Sequence, residues 1–135
     1  MTYQFERHFT LDEANALIPE VRATFQAAIA LAEAAQKLVD AGPVVRRVAS
    51  RSGNGHKAAE PSVPSDPKRQ VGLANALVAR LVEQGIVVQD WQRGLIDFPS
   101  LRDGREVFLC YELADGDRIR FYHEIDAGYA GREPV

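Results

Sequence analysis

The sequence predicts an α+β fold in which a long antiparallel helical hairpin packs on a three- or four-stranded antiparallel β-meander. Apolar residues recur at helical spacing as far as residue 84, and the period then changes to the alternation of strands. Two Asp-Gly pairs punctuate the second half of the chain as hairpin turns. With 135 residues, of which 46% are hydrophobic, residues 1–135 are long enough to form a single domain around one core.

The first helix is predicted over residues 10–41. Thr10 and Glu13 have the spacing of a capping box, in which each side chain bonds the backbone amide of the other residue. Apolar residues then follow at helical spacing, and Gly42-Pro43 ends the run. Pro19 predicts a kink, because proline removes one backbone donor and crowds the preceding turn.

A flexible loop is predicted over residues 52–65, which are rich in Gly, Pro and Ser. The second helix follows over residues 67–84. It starts at Asp66-Pro67, since aspartate caps a helix and proline is favoured at the first helical position. Each helix has one apolar stripe, and the two stripes are buried most simply against each other in an antiparallel hairpin.

The meander is predicted over residues 86–125, followed by a Gly-containing tail over residues 126–135. Asp103-Gly104 and Asp115-Gly116 are the expected turns. From them we predict a register that pairs Asp97 with Phe108, Phe108 with His123, Leu95 with Cys110 and Cys110 with Phe121. Because side chains alternate along a strand, Asp97, Cys110 and His123 then share one face.

Both faces of this sheet carry large apolar side chains, whereas an antiparallel sheet with one wet face would alternate cleanly. The helical hairpin covers one face. The other face needs a second subunit, the N-terminal arm or a bound ligand, because a large exposed apolar patch is rare in a monomer. From this patch we predict a homodimer, formed through the sheet or through the helices.

Composition and charge exclude several classes of protein. The formal charge of -3 gives no basic footprint for nucleic acid, and no apolar run is long enough for a membrane span. The N-terminus lacks the apolar core of a signal peptide. Cys110 is the single cysteine, so no intrachain disulfide forms. We therefore expect a soluble cytoplasmic protein.

Several motifs near both ends of the chain resemble one family. They are the run from Phe9 to Pro19, Gly94 to Pro99, Leu109-Cys110-Tyr111, Tyr122-His123-Glu124 and Gly128 to Arg132. Together they look like the bacterial domain-of-unknown-function family 2203, over nearly the whole chain. The resemblance implies a soluble bacterial protein and brings no activity or substrate with it.

His123 is the strongest candidate for a functional residue, because imidazole is the commonest metal ligand and the usual proton shuttle near neutral pH. With Asp97, Cys110 or Glu124 it offers the N, O and S ligands that suit zinc or iron. The sequence lacks the paired Cys-x-x-Cys and His-x-x-x-His spacings that are typical of metal sites, which argues against a metal. The alternative is a structural histidine that is hydrogen-bonded to Asp97 or to a backbone carbonyl.

Arg132 is the other candidate, for a small anionic ligand. Gly128 and Gly131 permit a turn whose amides converge on an anion, and the planar guanidinium of Arg132 suits carboxylate or phosphate. The structural alternative is that Arg132 pairs with Glu13, Asp97 or Glu124.

The predicted function is a non-enzymatic module that binds a small ligand, an ion or a protein partner through Asp97, His123 and Arg132. One alternative is a metal-dependent enzyme in which His123 is a ligand or base, Asp97 orients it and Arg132 holds an anionic substrate. A purely structural dimerisation module is the other alternative. The sequence does not decide whether the protein is an enzyme.

Overall fold

The computed structural model describes residues 2–41 and 66–135, so the predicted loop over residues 52–65 lies outside the described residues. The chain falls into two compact units. One comprises Met1–Gln26 with Leu77–Val135, and the other comprises Ala27–Ala76. The sheet and all the candidate site residues belong to the first unit.

Two helices form as predicted, to within a residue at each end. Helix α1 spans Leu11–Ala41 and contains Pro19, and helix α2 spans Pro67–Glu83. The predicted capping box is present, because the Thr10 amide donates to Glu13 Oε1 at 2.8 Å and the Glu13 amide donates to Thr10 Oγ1 at 3.0 Å. These two bonds satisfy amides that the start of a helix would otherwise leave without partners.

The two helices are antiparallel neighbours, as the hairpin prediction requires. Within the first unit, the side-chain amide of Gln84, just after α2, donates to Glu20 near the start of α1 at 2.8 Å. Within the second unit, Ala35 near the end of α1 lines the same cleft as Pro67 at the start of α2. In each unit, therefore, one helix starts beside the end of the other.

The sheet has five antiparallel strands in the order of the sequence, one more than the largest number predicted. The strands are β1 Val87–Asp90, β2 Leu95–Arg102, β3 Arg105–Tyr111, β4 Phe121–Glu124 and β5 Glu133–Pro134. The unpredicted strand β5 lies in the Gly-containing tail, where Glu133 pairs with Tyr122. A strand of two residues is too short to show an alternating pattern, which explains why sequence periodicity missed it.

The observed pairing of β2 with β3 differs from the predicted register by two residues. Asp103 and Gly104 both have positive φ, 54° and 80°, so they form the two-residue loop itself and Arg102 pairs with Arg105. Asp97 therefore lies opposite Cys110 and not opposite Phe108. The predicted pairing of Leu95 with Cys110 was wrong for the same reason. A slip of two residues leaves each side chain on its predicted face.

The register of β3 on β4 was predicted correctly. Phe108 pairs with His123, and Cys110 pairs with Phe121. The connection itself differs from a tight turn, because Leu113–Asp115 forms a 3-10 helix and β4 begins only at Phe121.

One face of the sheet packs on the first part of α1. The guanidinium of Arg22 donates to the Tyr111 hydroxyl at 2.9 Å. Beside the start of the helix, the rings of Phe9 and Phe98 meet edge to face at 5.1 Å. Asn15 of the helix accepts the Ile119 amide at 2.7 Å. These contacts, all within the first unit, fix the helix on the side of the sheet away from His123.

The opposite face is covered by the two ends of the chain. Phe5 of the N-terminal arm meets Phe108 edge to face at 5.3 Å, and Arg132 of the tail lies over the Phe121 ring at 4.1 Å. Phe108 is only 6% exposed as a result. The apolar patch that motivated the predicted homodimer is therefore covered within one chain.

Candidate functional site

The covered face carries a buried group of three side chains, which we call the triad: Asp97, Cys110 and His123. Their exposed fractions are 1%, 1% and 3%. Asp97 of β2 and Cys110 of β3 are direct neighbours in the register, and His123 of β4 lies diagonally across from Asp97. The candidate ligand atoms of the three side chains all lie within 4.8 Å of one another. No other group of His, Cys, Asp or Glu in the described part of the chain is arranged in this way.

The imidazole of His123 is oriented by a backbone carbonyl. Its Nδ1 lies 2.7 Å from the carbonyl oxygen of Glu124, and its Nε2 lies 3.1 Å from Asp97 Oδ1. A carbonyl oxygen only accepts hydrogen bonds, so Nδ1 carries the hydrogen. In the neutral imidazole, Nε2 then presents a lone pair to a carboxylate oxygen. Two acceptors at 3.1 Å require a cation between them, either a proton or a metal ion.

The carboxylate of Asp97 is oriented in a similar way. The side-chain amide of Gln89 on β1 donates to Asp97 Oδ2 at 2.9 Å, which leaves Oδ1 directed at His123. Metal-binding histidines and carboxylates usually have such outer hydrogen bonds, which set the ring tautomer and hold the ligand atoms in place. His123 and Asp97, the two side chains of the triad that face each other, therefore each have an outer hydrogen bond of this kind.

The surroundings of Cys110 favour its protonated thiol form. Burial raises the pKa of Cys110 to about 12, and the neighbouring Asp97 carboxylate adds to the rise, while Arg132 at 3.9 Å from the sulfur opposes it. A thiolate is the reactive form of cysteine, so these surroundings do not activate Cys110 as a nucleophile. Coordination to a metal deprotonates a thiol outright, so binding an ion here would release the proton.

The donor set and spacing of the triad fit a tetrahedral transition-metal ion. Metal–nitrogen and metal–oxygen bonds of about 2.0–2.2 Å place their two ligand atoms roughly 3.3 Å apart, and a sulfur ligand lies roughly 3.6 Å from its neighbours. The distance of 3.1 Å between His123 and Asp97 is close to the first value. The sulfur of Cys110 lies 4.8 Å or less from the other two ligand atoms, so it needs to move by no more than about 1.2 Å.

A cavity of about 230 Å³ lies beside the triad. The residues that line it besides the triad are Gln89, Leu95, Phe108, Ile125, Gly128 and Tyr129. Gln89, Gly128 and Tyr129 are exposed, so the cavity opens to solvent on their side. The cavity thus has the buried triad on one side and exposed residues on the other.

Arg132, the predicted anion ligand, is engaged within the chain. Its guanidinium donates to Asp115 at 2.8 Å and lies between the rings of Phe121 and Tyr129, at 4.1 and 4.4 Å. Its side chain is 12% exposed and is not among those that line the cavity. Arg132 therefore lies next to Cys110 but outside the cavity lining. Its acidic partner is Asp115, and not Glu13, Asp97 or Glu124 as proposed from the sequence.

Gln89, Glu112 and Tyr129 belong to the surroundings of the site and were missed from the sequence. Glu112 is 7% exposed and accepts hydrogen bonds from Arg93 at 2.7 Å and from the Tyr129 hydroxyl at 2.5 Å. These contacts fix the tail beside the triad. They depend on how the tail folds back, and no spacing in the sequence signals that path.

The fold and the triad define a small α+β protein with a candidate metal-binding centre on its sheet. In the described residues, no helix has the length and apolar character needed to cross a membrane. The chain belongs to the family described as uncharacterized conserved protein (DUF2203), whose model matches residues 7–135. This confirms the resemblance seen in the sequence. No curated protein and no solved structure matches the chain.

Proposed function

We propose that this protein is a binding module for one divalent transition-metal ion, zinc or iron, held by Asp97, Cys110 and His123. The observation that carries the proposal is the position of His123 Nε2, which lies 3.1 Å from a carboxylate oxygen of Asp97 and beside the buried sulfur of Cys110. Nitrogen, oxygen and sulfur donors together suit zinc and iron. A reducing cytoplasm would keep the single cysteine available as a ligand.

The competing account is a buried ion pair in which a proton lies between His123 and Asp97. Such a pair has to offset the cost of removing both charges from water, which often exceeds the attraction between them. It also gives Cys110 no role beyond that of a small apolar residue. A metal ion accounts for all three side chains and for the outer hydrogen bonds from Gln89 and Glu124.

A metal-dependent enzyme is the second candidate function, and the cavity favours it. Structural zinc sites have four protein ligands, whereas catalytic sites have three and one open position. The triad offers three ligands beside a cavity that opens to solvent. Because Arg132 is paired with Asp115, the structure does not support an anionic substrate held by that arginine.

The test measures metal bound by untagged protein that has been purified without chelator and then reloaded with Co²⁺. We expect about one ion per chain and a sulfur-to-cobalt charge-transfer band in the near ultraviolet. The variants Cys110→Ser, Asp97→Asn and His123→Gln should each weaken Co²⁺ binding by at least roughly tenfold, since each removes a ligand atom. Cys110→Ser should also abolish the charge-transfer band.

The matched control is His8→Gln. His8 forms the other histidine–carboxylate pair among the described residues, at 2.8 Å from Glu106, and has no cysteine beside it. This variant should bind Co²⁺ like the unaltered protein. Circular dichroism establishes that each variant is folded. Absence of a charge-transfer band in the folded, unaltered protein would overturn the proposal and leave His123 as a structural residue.

A further inference from the structure

We infer that the cavity beside the triad binds a small uncharged molecule with an apolar body and one lone-pair donor, which takes the open position of the metal ion. The inference rests on the proposed function and extends it to the class of ligand. Three features of the site carry it: the balance of charge around the ion, the apolar lining and the size of the cavity.

The charge of the site is balanced before any further ligand enters, because the guanidinium of Arg132, 3.9 Å from the Cys110 sulfur, is itself paired with Asp115. Asp97 and a metal-bound Cys110 thiolate each contribute one negative charge, His123 is neutral, and a divalent ion supplies two positive charges. Of the residues described, no lysine or arginine lines the cavity. An anionic ligand would therefore add an uncompensated charge at a buried site, which is costly.

The lining explains the apolar body. Leu95 and Phe108 are 7% and 6% exposed and, with Ile125, form the apolar wall of the cavity. The Tyr129 hydroxyl is directed away to Glu112, and Gln89 donates to Asp97. The metal ion is accordingly the main polar anchor for a ligand. An apolar cavity of about 150 Å³ holds a benzene ring, so a volume of about 230 Å³ admits a ring of that size.

The test uses imidazole as an uncharged probe and acetate as an anion of similar size, each added to Co²⁺-loaded protein at pH 8.5. We expect imidazole to change the visible cobalt spectrum saturably, with the charge-transfer band of Cys110 retained. We expect acetate to cause no change at the same concentrations. Stronger binding of acetate than of imidazole would overturn the inference.

A variant that fills the cavity provides the second test of the inference. Ile125 is only half-buried, and Ile125→Trp should weaken imidazole binding at least roughly tenfold because the larger ring occupies the ligand space. Ile125→Phe is the smaller change should the first variant misfold. The matched control is Leu101→Trp, since Leu101 is 42% exposed on β2 and does not line this cavity. Control and unaltered protein should bind imidazole equally.

The two proposals fail in different ways. If the charge-transfer band never appears, the triad does not bind cobalt through Cys110 and the proposed function fails together with this inference. If the band appears and imidazole leaves the cobalt spectrum unchanged, the metal site stands and the ligand inference alone is wrong. Equal imidazole binding by Ile125→Trp and Leu101→Trp would place the probe outside the cavity and would also overturn the inference.

Discussion

His123 illustrates, for a single residue, how neighbouring groups decide its chemistry. Alternation along the strands was enough to predict that Asp97, Cys110 and His123 share a face. The hydrogen bond from Nδ1 to the Glu124 carbonyl could not be predicted from the sequence, because it depends on ring rotation and on the local path of β4. That bond determines which nitrogen faces the carboxylate, and so it determines what the site can bind.

Cys110 should react slowly with thiol reagents in the folded protein. The residue is 1% exposed, and burial raises its pKa to about 12, so very little thiolate exists at pH 8. We expect a chelator-treated sample to react with Ellman's reagent at least roughly 100-fold more slowly than protein unfolded in guanidinium chloride. Cys110 is the single cysteine, so the signal has one source. Rapid labelling of the folded protein would contradict the burial of the triad.

Glu106 should make the protein more stable at neutral pH than in acid. Burial raises the pKa of Glu106, but hydrogen bonds from His8 and from the amides of Gln4 and Phe5 outweigh it, so the pKa is lowered overall. A lowered pKa in the folded state contributes stability above the ordinary pKa of glutamate, and this stability is lost as the pH falls through the folded value. The N-terminal arm is the segment that these bonds hold.

Urea unfolding at pH 7 and pH 3 tests this role of Glu106. Glu106→Gln should lower the urea midpoint at pH 7 and should show a smaller drop from pH 7 to pH 3 than the unaltered protein. Glu83→Gln is the control, because Glu83 is exposed at the end of α2. Equal acid-induced drops in Glu106→Gln and the unaltered protein would show that this carboxylate does not hold the arm.

For helices and strands, local sequence signals predicted most of the structure. The capping box, Asp66-Pro67 and the Asp103-Gly104 turn each act within a few residues, and each appears in the structure. The Asp115-Gly116 connection was predicted less well, because a 3-10 helix replaces the tight turn. The strand in the tail was missed since two residues carry no periodic signal.

Gly94 and Gly104 test how a turn depends on space around the backbone. Both have positive φ, 62° and 80°, but a Cβ at Gly94 would lie 2.5 Å from Leu113 Cγ, whereas nothing lies within 4 Å at Gly104. Gly104→Ala should cost about 1 kcal/mol of unfolding free energy through its backbone alone. Gly94→Ala should cost roughly 2–4 kcal/mol, because a steric clash is added. Equal losses in urea unfolding would show that the contact with Leu113 relaxes freely.

For the whole molecule, the N-terminal arm and the tail cover the sheet face for which the sequence predicted a second subunit. Phe5 covers Phe108, and Arg132 covers Phe121, on the face predicted to pair with a second subunit. Sequence pattern showed that this face needs a cover. It could not show which segment supplies it, since contacts between distant parts of the chain leave no local signal.

The covered face of the sheet removes the argument from which a homodimer was predicted. Because the arm and the tail cover the second face of the sheet, we expect a monomer of 14.9 kDa by light scattering at micromolar concentration. A stable dimer in which Phe108 is protected by the partner would contradict this account of the covered face. The original prediction of a homodimer would then hold.

X-ray absorption at the metal edge of the zinc-loaded protein tests the central claim most directly, because it reports the ligand atoms themselves. The account predicts one sulfur scatterer at about 2.3 Å together with nitrogen and oxygen scatterers at about 2.0–2.2 Å. The sulfur scatterer should disappear in Cys110→Ser. A first shell of nitrogen and oxygen alone in the unaltered protein would mean that zinc binds elsewhere and would contradict the assignment of Asp97, Cys110 and His123 as its ligands.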